Sequence, residues 1–271
     1  MIETEAPAKE PLPSADPAAP GTGVELEAVT HRFGGRRAPL EALSQVTLSA
    51  VPNEVLGVVG PSGCGKSTLL ELICGLQEPS GGRIAVGGRF APAERLARCA
   101  LMQQRDLLLP WRSALDNATL PLELAGVRRR EARQKVAPLF ERFGLVGFAE
   151  APPYELSGGM RQRVAFLRTL LAGKPVLLLD EPFGSLDSIT RADMQEWLAR
   201  ALLAEPRSVV LVSHDVEEAL FLCDRVVVLS DRPGRVKAEI AVPLPRPRPR
   251  RETVTSLEFV SLRERAMEAL A

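Results

Sequence analysis

The chain has 271 residues, 45% of them hydrophobic and 25% charged, and its 34 lysines plus arginines balance its 34 aspartates plus glutamates. This composition is ordinary for a soluble globular protein with a sizeable core, and the zero formal charge argues against a dedicated nucleic-acid binder. The longest apolar runs are too short to span a bilayer, and four cysteines without a C-x-x-C pair argue against a zinc module and favour reduced, cytosolic thiols.

In the first half of the chain, a polar tail is followed by several predicted strands. Residues 1–23 are rich in proline, alanine and acidic side chains, which predicts a disordered tail. Ordered sequence begins at Val24–Val29, where apolar and polar residues alternate as in a half-buried strand. Four further strands are predicted at Val46–Val51, Val55–Val59, Ile84–Val86 and Ala100–Met102.

The second half predicts a helical insertion followed by buried strands. From Ala114 to Ala172 the pattern is helical, with the polar stretch Arg128–Lys135 on a solvated face. Continuous apolar runs then suit strands buried on both faces of a parallel sheet, and helical segments separate them as βαβ winding requires. The predicted strands are Val176–Leu179, Val209–Val212 and Val226–Leu229, and the helices are Ile189–Ala204 and Val216–Cys223. The predicted fold class is therefore α/β.

The carboxyl-terminal segment is rich in proline and arginine. From Pro243 the sequence PLPRPRPRR predicts an extended polyproline-type linker, and a short amphipathic helix follows at about Ser256–Leu270. We favour a solvated linker that returns the last helix to the body. The alternative is a basic surface for anionic lipid or a partner.

A phosphate-binding loop is predicted at GPSGCGKST, which matches G-x-x-x-x-G-K-[ST] between an apolar strand and a helical run. The backbone amides of such a glycine-rich turn cradle phosphate oxygens, and the helix N-terminus adds its positive dipole end. Lys66 would reach the β- and γ-phosphates, and the Ser67 hydroxyl would ligate Mg²⁺. The predicted nucleotide-binding residues of the loop are Gly60, Pro61, Ser62, Gly63, Cys64, Gly65, Lys66, Ser67 and Thr68. We interpret Cys64 as a filler, with thiol sensitivity as the alternative.

Two acids end the apolar run Val176–Leu179. Carboxylates at the carboxyl end of a buried strand emerge at the sheet edge where ligands bind. Asp180 would hold Mg²⁺ through water, and Glu181 would polarise the water that attacks the γ-phosphate. Alone, such acids often cap the following helix, but together with the phosphate loop they predict a catalytic site.

Two further segments point to a family. Leu156–Arg163 (LSGGMRQR) resembles the signature motif of ATP-binding cassette (ABC) ATPases, and Ser213-His214-Asp215 is similar to their switch histidine. The resemblance covers about residues 24–240. It implies a P-loop NTPase (RecA-like) core with an antiparallel β subdomain and a helical subdomain inserted at about 105–172. Residues 1–23 and 241–271 would then be the tail and the linker with its C-terminal helix.

The resemblance also implies roles for single residues. Phe33 would stack on adenine, and His214 would contact the γ-phosphate and hold Glu181 and the water in place. His214 also precedes a helix that Asp215 and Glu218 would cap, and both interpretations can hold. The implied head-to-tail homodimer would sandwich two ATP molecules, and the Ser-Leu-Asp segment at 185–187 would line its seam. Ser157, Gly158 and Gly159 would contact the γ-phosphate bound by the second copy, and Gln162 and Asp187 are further nucleotide-binding residues that the resemblance implies.

The glutamine loop departs from the family pattern. That pattern usually reads aromatic-Gln or Pro-Gln, whereas this chain has Met102-Gln103-Gln104. Counting back from Leu108–Trp111 favours Gln104 as the Mg²⁺-sensing residue, with Gln103 as the alternative. Trp111 follows this loop, where the resemblance implies contact with a short helix of a membrane subunit, and the alternative is a buried core residue.

The runs LLPWR at 108–112 and LSDRPGR at 229–235 resemble the nitrate/sulfonate/taurine branch of bacterial importers. That resemblance implies Mg²⁺-dependent ATP hydrolysis coupled to uptake of a small solute, at the cytoplasmic face of the membrane. The implied partners are integral membrane permease subunits and, indirectly, a periplasmic or extracellular solute-binding protein, with no nucleic acid. The alternative is a soluble ABC ATPase such as an iron–sulfur assembly factor, against which the LLPW run weighs.

Overall fold

Two β-sheets and the helices around them make up the computed structural model, which describes residues 22–34, 39–184, 186–204 and 206–271. Apart from residues 22 and 23, the predicted tail lies outside these ranges. The smaller sheet is antiparallel, with the strand order β2-β1-β4. Its strands are β1 (Val24–Phe33), β2 (Leu40–Ala50) and β4 (Gly81–Val86). Buried and exposed residues alternate along much of β1 and β2, as in a sheet with one solvated face.

The larger sheet has six strands in the order β5-β6-β7-β3-β8-β9. They are β3 (Val55–Val59), β5 (Cys99–Met102), β6 (Val176–Asp180), β7 (Ser208–Ser213), β8 (Arg225–Leu229) and β9 (Val236–Ala241). All pair in parallel except β9, which is antiparallel to β8. Every residue of β3, β6 and β7 is buried, which confirms the α/β fold class predicted from their continuous apolar runs.

Helices cover both faces of the larger sheet and form the insertion. The helices near the sheet are α1 (Lys66–Cys74), α2 (Pro92–Arg98), α6 (Ser188–Ala204) and α7 (Val216–Leu222). The insertion consists of α3 (Ala114–Leu124), α4 (Arg129–Arg142) and α5 (Gly158–Leu171), with a short 3₁₀ turn at Pro153–Glu155. In the described ranges, none of the helices has both the length and the apolar character required to cross a bilayer.

A buried carboxylate joins the first two helices of the insertion. Asp116 of α3 is 4% exposed, and it accepts hydrogen bonds from Arg129 and, at 2.6 Å, from Arg133. Burial acts to raise the pKa of Asp116, but the two guanidinium groups outweigh it and hold that pKa below its usual value. The stretch Arg128–Lys135 is therefore not simply a solvated face, since Ala132 is also fully buried.

The carboxyl-terminal segment packs onto the main core. It contains α8 (Arg250–Val254) and α9 (Leu257–Leu270), and α9 buries Phe259, Leu262 and Ala266. The prediction of a solvated linker is wrong at Arg248, which is 6% exposed. Its guanidinium donates to the carbonyls of Leu220, Phe221, Cys223, Val242 and Leu244. Carbonyls at the end of a helix such as α7 lack intrahelical donors, and an arginine satisfies them here.

Candidate nucleotide-binding site

The phosphate loop runs from the end of β3 into α1, and its glycines are required by its shape. Gly65 has a φ of +107°, and a Cβ at this residue would lie 2.9 Å from the carbonyl oxygen of Ala42. Gly63 has a φ of +77°. Only glycine adopts such angles at low cost, so the loop brings its backbone close to β2 and leaves the first N–H groups of α1 free for an anion.

Lys66 is the first residue of α1 and is only 5% exposed. Its Nζ donates to the carbonyl oxygens of Gly60 at 2.7 Å and Pro61 at 2.9 Å. The ammonium group is thus held against the loop that would receive phosphates. Cys64 is 1% exposed and burial raises the pKa of its thiol, which supports the filler interpretation.

A cavity of about 470 Å³ opens above the loop, a size typical of small-molecule sites. Phe33 and Leu40, which pair across β1 and β2, form one wall. The parallel order β6-β7-β3 brings the carboxyl ends of those strands together and so supplies the acid, the histidine and the phosphate loop. The lining residues are Phe33, Leu40, Ala42, Ser62, Gly63, Gly65, Lys66, Ser67, Thr68, Gln104, Glu181, His214 and Arg232.

Glu181 is held by side chains from two neighbouring strand ends. Its Oε2 accepts a hydrogen bond from Gln104 Nε2 at 2.9 Å and lies 3.2 Å from His214 Nδ1. Its backbone has a φ of +45°, unusual for a residue with a side chain, and its N–H donates to the carbonyl oxygen of Val212. The strained turn after β6 therefore aims this carboxylate into the cavity.

Asp180, the last residue of β6, carries the features expected of a cation ligand. It is 7% exposed, and burial raises its pKa although a hydrogen bond with Ser67 opposes the shift. Its Oδ1 is buried without a hydrogen-bond partner among the described residues. A smaller cavity of about 190 Å³ is lined by Ser67, Gln103, Gln104 and Asp180, among others. Oxygen donors of this kind suit Mg²⁺, so the residues present fit that ion.

A second cavity, of about 390 Å³, surrounds the start of α5. Ser157 caps this helix by accepting a hydrogen bond from the Met160 N–H at 3.2 Å. Asp187 accepts hydrogen bonds from the N–H groups of Ile189 and Thr190, and its contact with Thr190 lowers its pKa. The lining residues are Ser157, Gly158, Gly159, Met160, Arg163, Leu186, Asp187 and Thr190, and none of them lines the first cavity. Ser185 lies outside the described residues.

Several predicted residues lie elsewhere than expected. Gln162 is 5% exposed and donates to the carbonyl oxygen of Gln104 at 3.1 Å, so it faces the interior between α5 and the glutamine loop. Asp215 caps α7, but Glu218 does not complete a capping box because the Asp215 N–H donates to Ser213 Oγ at 2.9 Å and not to the Glu218 carboxylate. Trp111 is 76% exposed, which excludes the buried-core alternative.

Arg232 is a residue of this site that the sequence motifs did not predict. Arg232 lies in the connection between β8 and β9, lines the first cavity and donates to the carbonyl oxygen of Gly63. From the sequence, the run LSDRPGR indicated only a family resemblance. The contact between Arg232 and the phosphate loop could not be predicted, because it depends on the pairing of β8 with β3.

Known proteins resemble this chain over most of its length. The family described as "ABC transporter" matches residues 43–184. A taurine import ATP-binding protein of Rhizobium johnstonii is 44% identical, over 83% of this chain and 87% of that protein. A formylaminopyrimidine import ATP-binding protein of Halalkalibacterium halodurans is 42% identical, over 80% of this chain and 84% of that protein.

Among solved structures, one similar chain is a dimeric ATP-binding cassette in a post-hydrolysis state bound to ADP and Pi. It is 29% identical with a TM-score of 0.74, and the match covers 81% of this chain and 98% of that one. The chain therefore belongs to the ABC transporter family, as an ATP-binding subunit with ATPase activity.

Proposed function

We propose that this chain is the ATP-hydrolysing subunit of a bacterial importer and that it works as a head-to-tail homodimer. The observation that carries the proposal is the separation of two cavities on one chain. The phosphate loop and Glu181 line one, Ser157 and Asp187 line the other, and the two share no lining residue. A second copy turned head to tail would place the start of its α5 against the nucleotide held by the first.

The start of α5 is suited to contact a phosphate. Ser157 caps the helix, and Gly158 and Gly159 form its first turn without side chains that would block an approaching anion. The helix dipole favours negative charge at this end. In the dimer, these residues and Asp187 would close the site over the γ-phosphate, while Phe33 would stack on adenine.

In the proposed reaction, water attacks the γ-phosphorus, the bond from phosphorus to the bridging β,γ-oxygen breaks, and ADP and phosphate leave. Gln104 and His214 both contact Oε2 of Glu181, so Oε1 would accept the proton of the attacking water. Lys66 and the loop amides would hold the β- and γ-phosphates in place. Positioning of this kind, rather than covalent chemistry, accounts for most catalysis of phosphoryl transfer.

Mg²⁺ is part of the proposed site. When bound, it neutralises charge on the β- and γ-phosphate oxygens. The hydroxyl of Ser67, the carboxylate of Asp180 and the amide of Gln104 would hold it. The buried, unpartnered Oδ1 of Asp180 supports this assignment.

The exposed apolar side chains beside the glutamine loop support a transport role over a soluble assembly ATPase. Trp111 and Leu107 are 76% and 49% exposed. We assign them to contact with a helix of an integral membrane permease, which would place the chain peripherally at the cytoplasmic face of the membrane. The relatives named for taurine and formylaminopyrimidine import favour a small solute. A separate solute-binding protein would deliver that solute.

Affinity purification of the tagged chain from detergent-solubilised membranes tests this proposal. The expected result is a multi-spanning permease at about equal amount, with less recovered for Trp111→Ala than for the control Leu257→Ala, whose side chain is 90% exposed on α9. ATPase activity of the isolated Trp111→Ala chain should remain unchanged. A purely soluble set of partners, with the chain absent from membranes, would contradict the transport role.

A further inference from the structure

The connection between β8 and β9, residues 230–235, is fixed between β2 and the phosphate loop. The Gly234 N–H donates to the carbonyl oxygen of Ala42 at 2.9 Å, and the Gly234 carbonyl accepts from the Ser44 N–H at 3.0 Å. A Cβ at Gly234 would lie 2.3 Å from the carbonyl oxygen of Cys64, so only glycine permits this approach. The pairing of Val59 with Val228 brings the two segments side by side.

From this connection, Arg232 reaches the phosphate loop with a forked hydrogen bond. Its Nε and Nη2 donate to the carbonyl oxygen of Gly63 at 2.8 and 2.6 Å. A Cβ at Gly63 would lie 2.9 Å from Nη2, so the glycine also makes room for the guanidinium. Charge-assisted bonds of this kind are stronger than neutral ones.

The Gly63 carbonyl bonded by Arg232 fixes the orientation of one peptide unit of the phosphate loop. The carbonyl of Gly63 and the N–H of Cys64 belong to one planar peptide unit, so fixing the oxygen also fixes the direction of the N–H. That N–H points within the loop, towards the carbonyl oxygen of Pro61 at 3.3 Å. The Pro61 carbonyl oxygen also accepts a hydrogen bond from Nζ of Lys66, the group expected to reach phosphates.

Arg232 also adds a positive charge to the cavity wall. The charged residues that line this cavity are Lys66, Arg232 and Glu181, within the part of the chain that the structure describes. A magnesium-bound triphosphate keeps a net negative charge, so a second cation beside the loop increases the attraction for a polyphosphate.

We propose that Arg232 is a positioning residue of the nucleotide site, which holds the phosphate loop in its phosphate-binding shape through Gly63 and favours nucleotides with two or three phosphates. This inference rests on the nucleotide site described above. It does not depend on the proposed importer role or on the dimer.

The proposal is tested with the variants Arg232→Ala and Arg232→Lys and the control Arg235→Ala. For each variant we would measure equilibrium binding of ATP, ADP and AMP, the KM and kcat of ATP hydrolysis, and the unfolding temperature without nucleotide. Arg235 lies in the same connection with an exposed side chain. Arg232→Ala should weaken ATP and ADP binding about tenfold and raise KM similarly, with kcat within about twofold. AMP binding and the unfolding temperature should match those of the control. Arg232→Lys should recover part of the loss, because it keeps the charge but not the fork.

Two results would overturn the inference. One is ATP binding by Arg232→Ala that equals that of Arg235→Ala. The other is a fall in the unfolding temperature with equal weakening of AMP and ATP, which would mark a merely structural residue. In either case the ATPase activity of the unaltered chain would still stand, so failure here is distinct from failure of the proposed function.

Discussion

His214 Nδ1 lies 3.2 Å from Oε2 of Glu181, although the two residues follow different strands of the larger sheet. The same oxygen accepts a hydrogen bond from Gln104, so the carboxylate is held from two sides. In the proposed mechanism, Glu181 would accept the proton and His214 and Gln104 would orient its carboxylate.

The variant Glu181→Gln should bind ATP with unchanged affinity but lose at least about 100-fold in kcat, because a positioned general base contributes about 10²–10⁴-fold. His214→Ala should lower kcat as well. Since His214 would act through Glu181, adding His214→Ala to Glu181→Gln should cause little further loss. Phosphate release and ATP binding measured on the three variants check this. Wild-type turnover by Glu181→Gln would refute the assignment of the base.

Chelation of Mg²⁺ should abolish hydrolysis, and Asp180→Asn should raise the Mg²⁺ concentration needed for half-maximal rate. Because burial raises the pKa of Asp180, protons should compete with the ion more strongly as pH falls. The measurement is a Mg²⁺ titration of ATPase rate at several pH values. The pH dependence should be smaller in Asp180→Asn, and an equal dependence in both chains would argue against Asp180 as the ligand.

Because of Glu218, the free energy of unfolding should decrease as pH rises. Burial raises its pKa to about 7, from 4.5 in the unfolded chain, and its neighbours are Gln195, Ser213, Asp215 and Arg191. Between those pH values the folded state binds more protons than the unfolded state, so the free energy of unfolding decreases with pH, by up to about 3 kcal/mol. Glu218→Gln should remove this decrease. Urea unfolding of both chains at pH 5 and pH 8 tests it, and parallel pH profiles would contradict it.

The sequence predicted those parts of the site that are encoded locally. The phosphate loop, the acids after β6 and the start of α5 are continuous motifs, and the apolar runs of β3, β6 and β7 identify buried parallel strands. The strand β9 was missed although Val236–Ala241 alternates apolar and charged residues as a half-buried strand does, because it lacks the continuous apolar run that marks the buried strands before it.

Residues whose roles depend on tertiary contacts were not predicted. Arg232 meets Gly63 only because β8 pairs with β3. Arg248 looks like part of a solvated linker, yet it is buried because the carbonyls at the end of α7 need donors. The inward orientation of Gln162 likewise follows from the position of the glutamine loop beside α5.

The central claim is that each ATP site combines the phosphate loop of one copy with the start of α5 of another. Two inactive variants test it, Lys66→Ala and Ser157→Asp, the latter keeping a capping side chain while adding a charge that repels phosphate. Each variant alone should be inactive.

Mixing the two variants under subunit exchange and measuring the ATPase rate is the most direct test. In a mixed dimer, the intact phosphate loop of the Ser157→Asp chain meets the intact Ser157 of the Lys66→Ala chain, so one of the two sites is restored. Random pairing in a symmetric dimer then predicts up to about a quarter of the wild-type rate. If the two variant chains exchange and the mixture is still as inactive as each variant alone, the site is not shared between two copies.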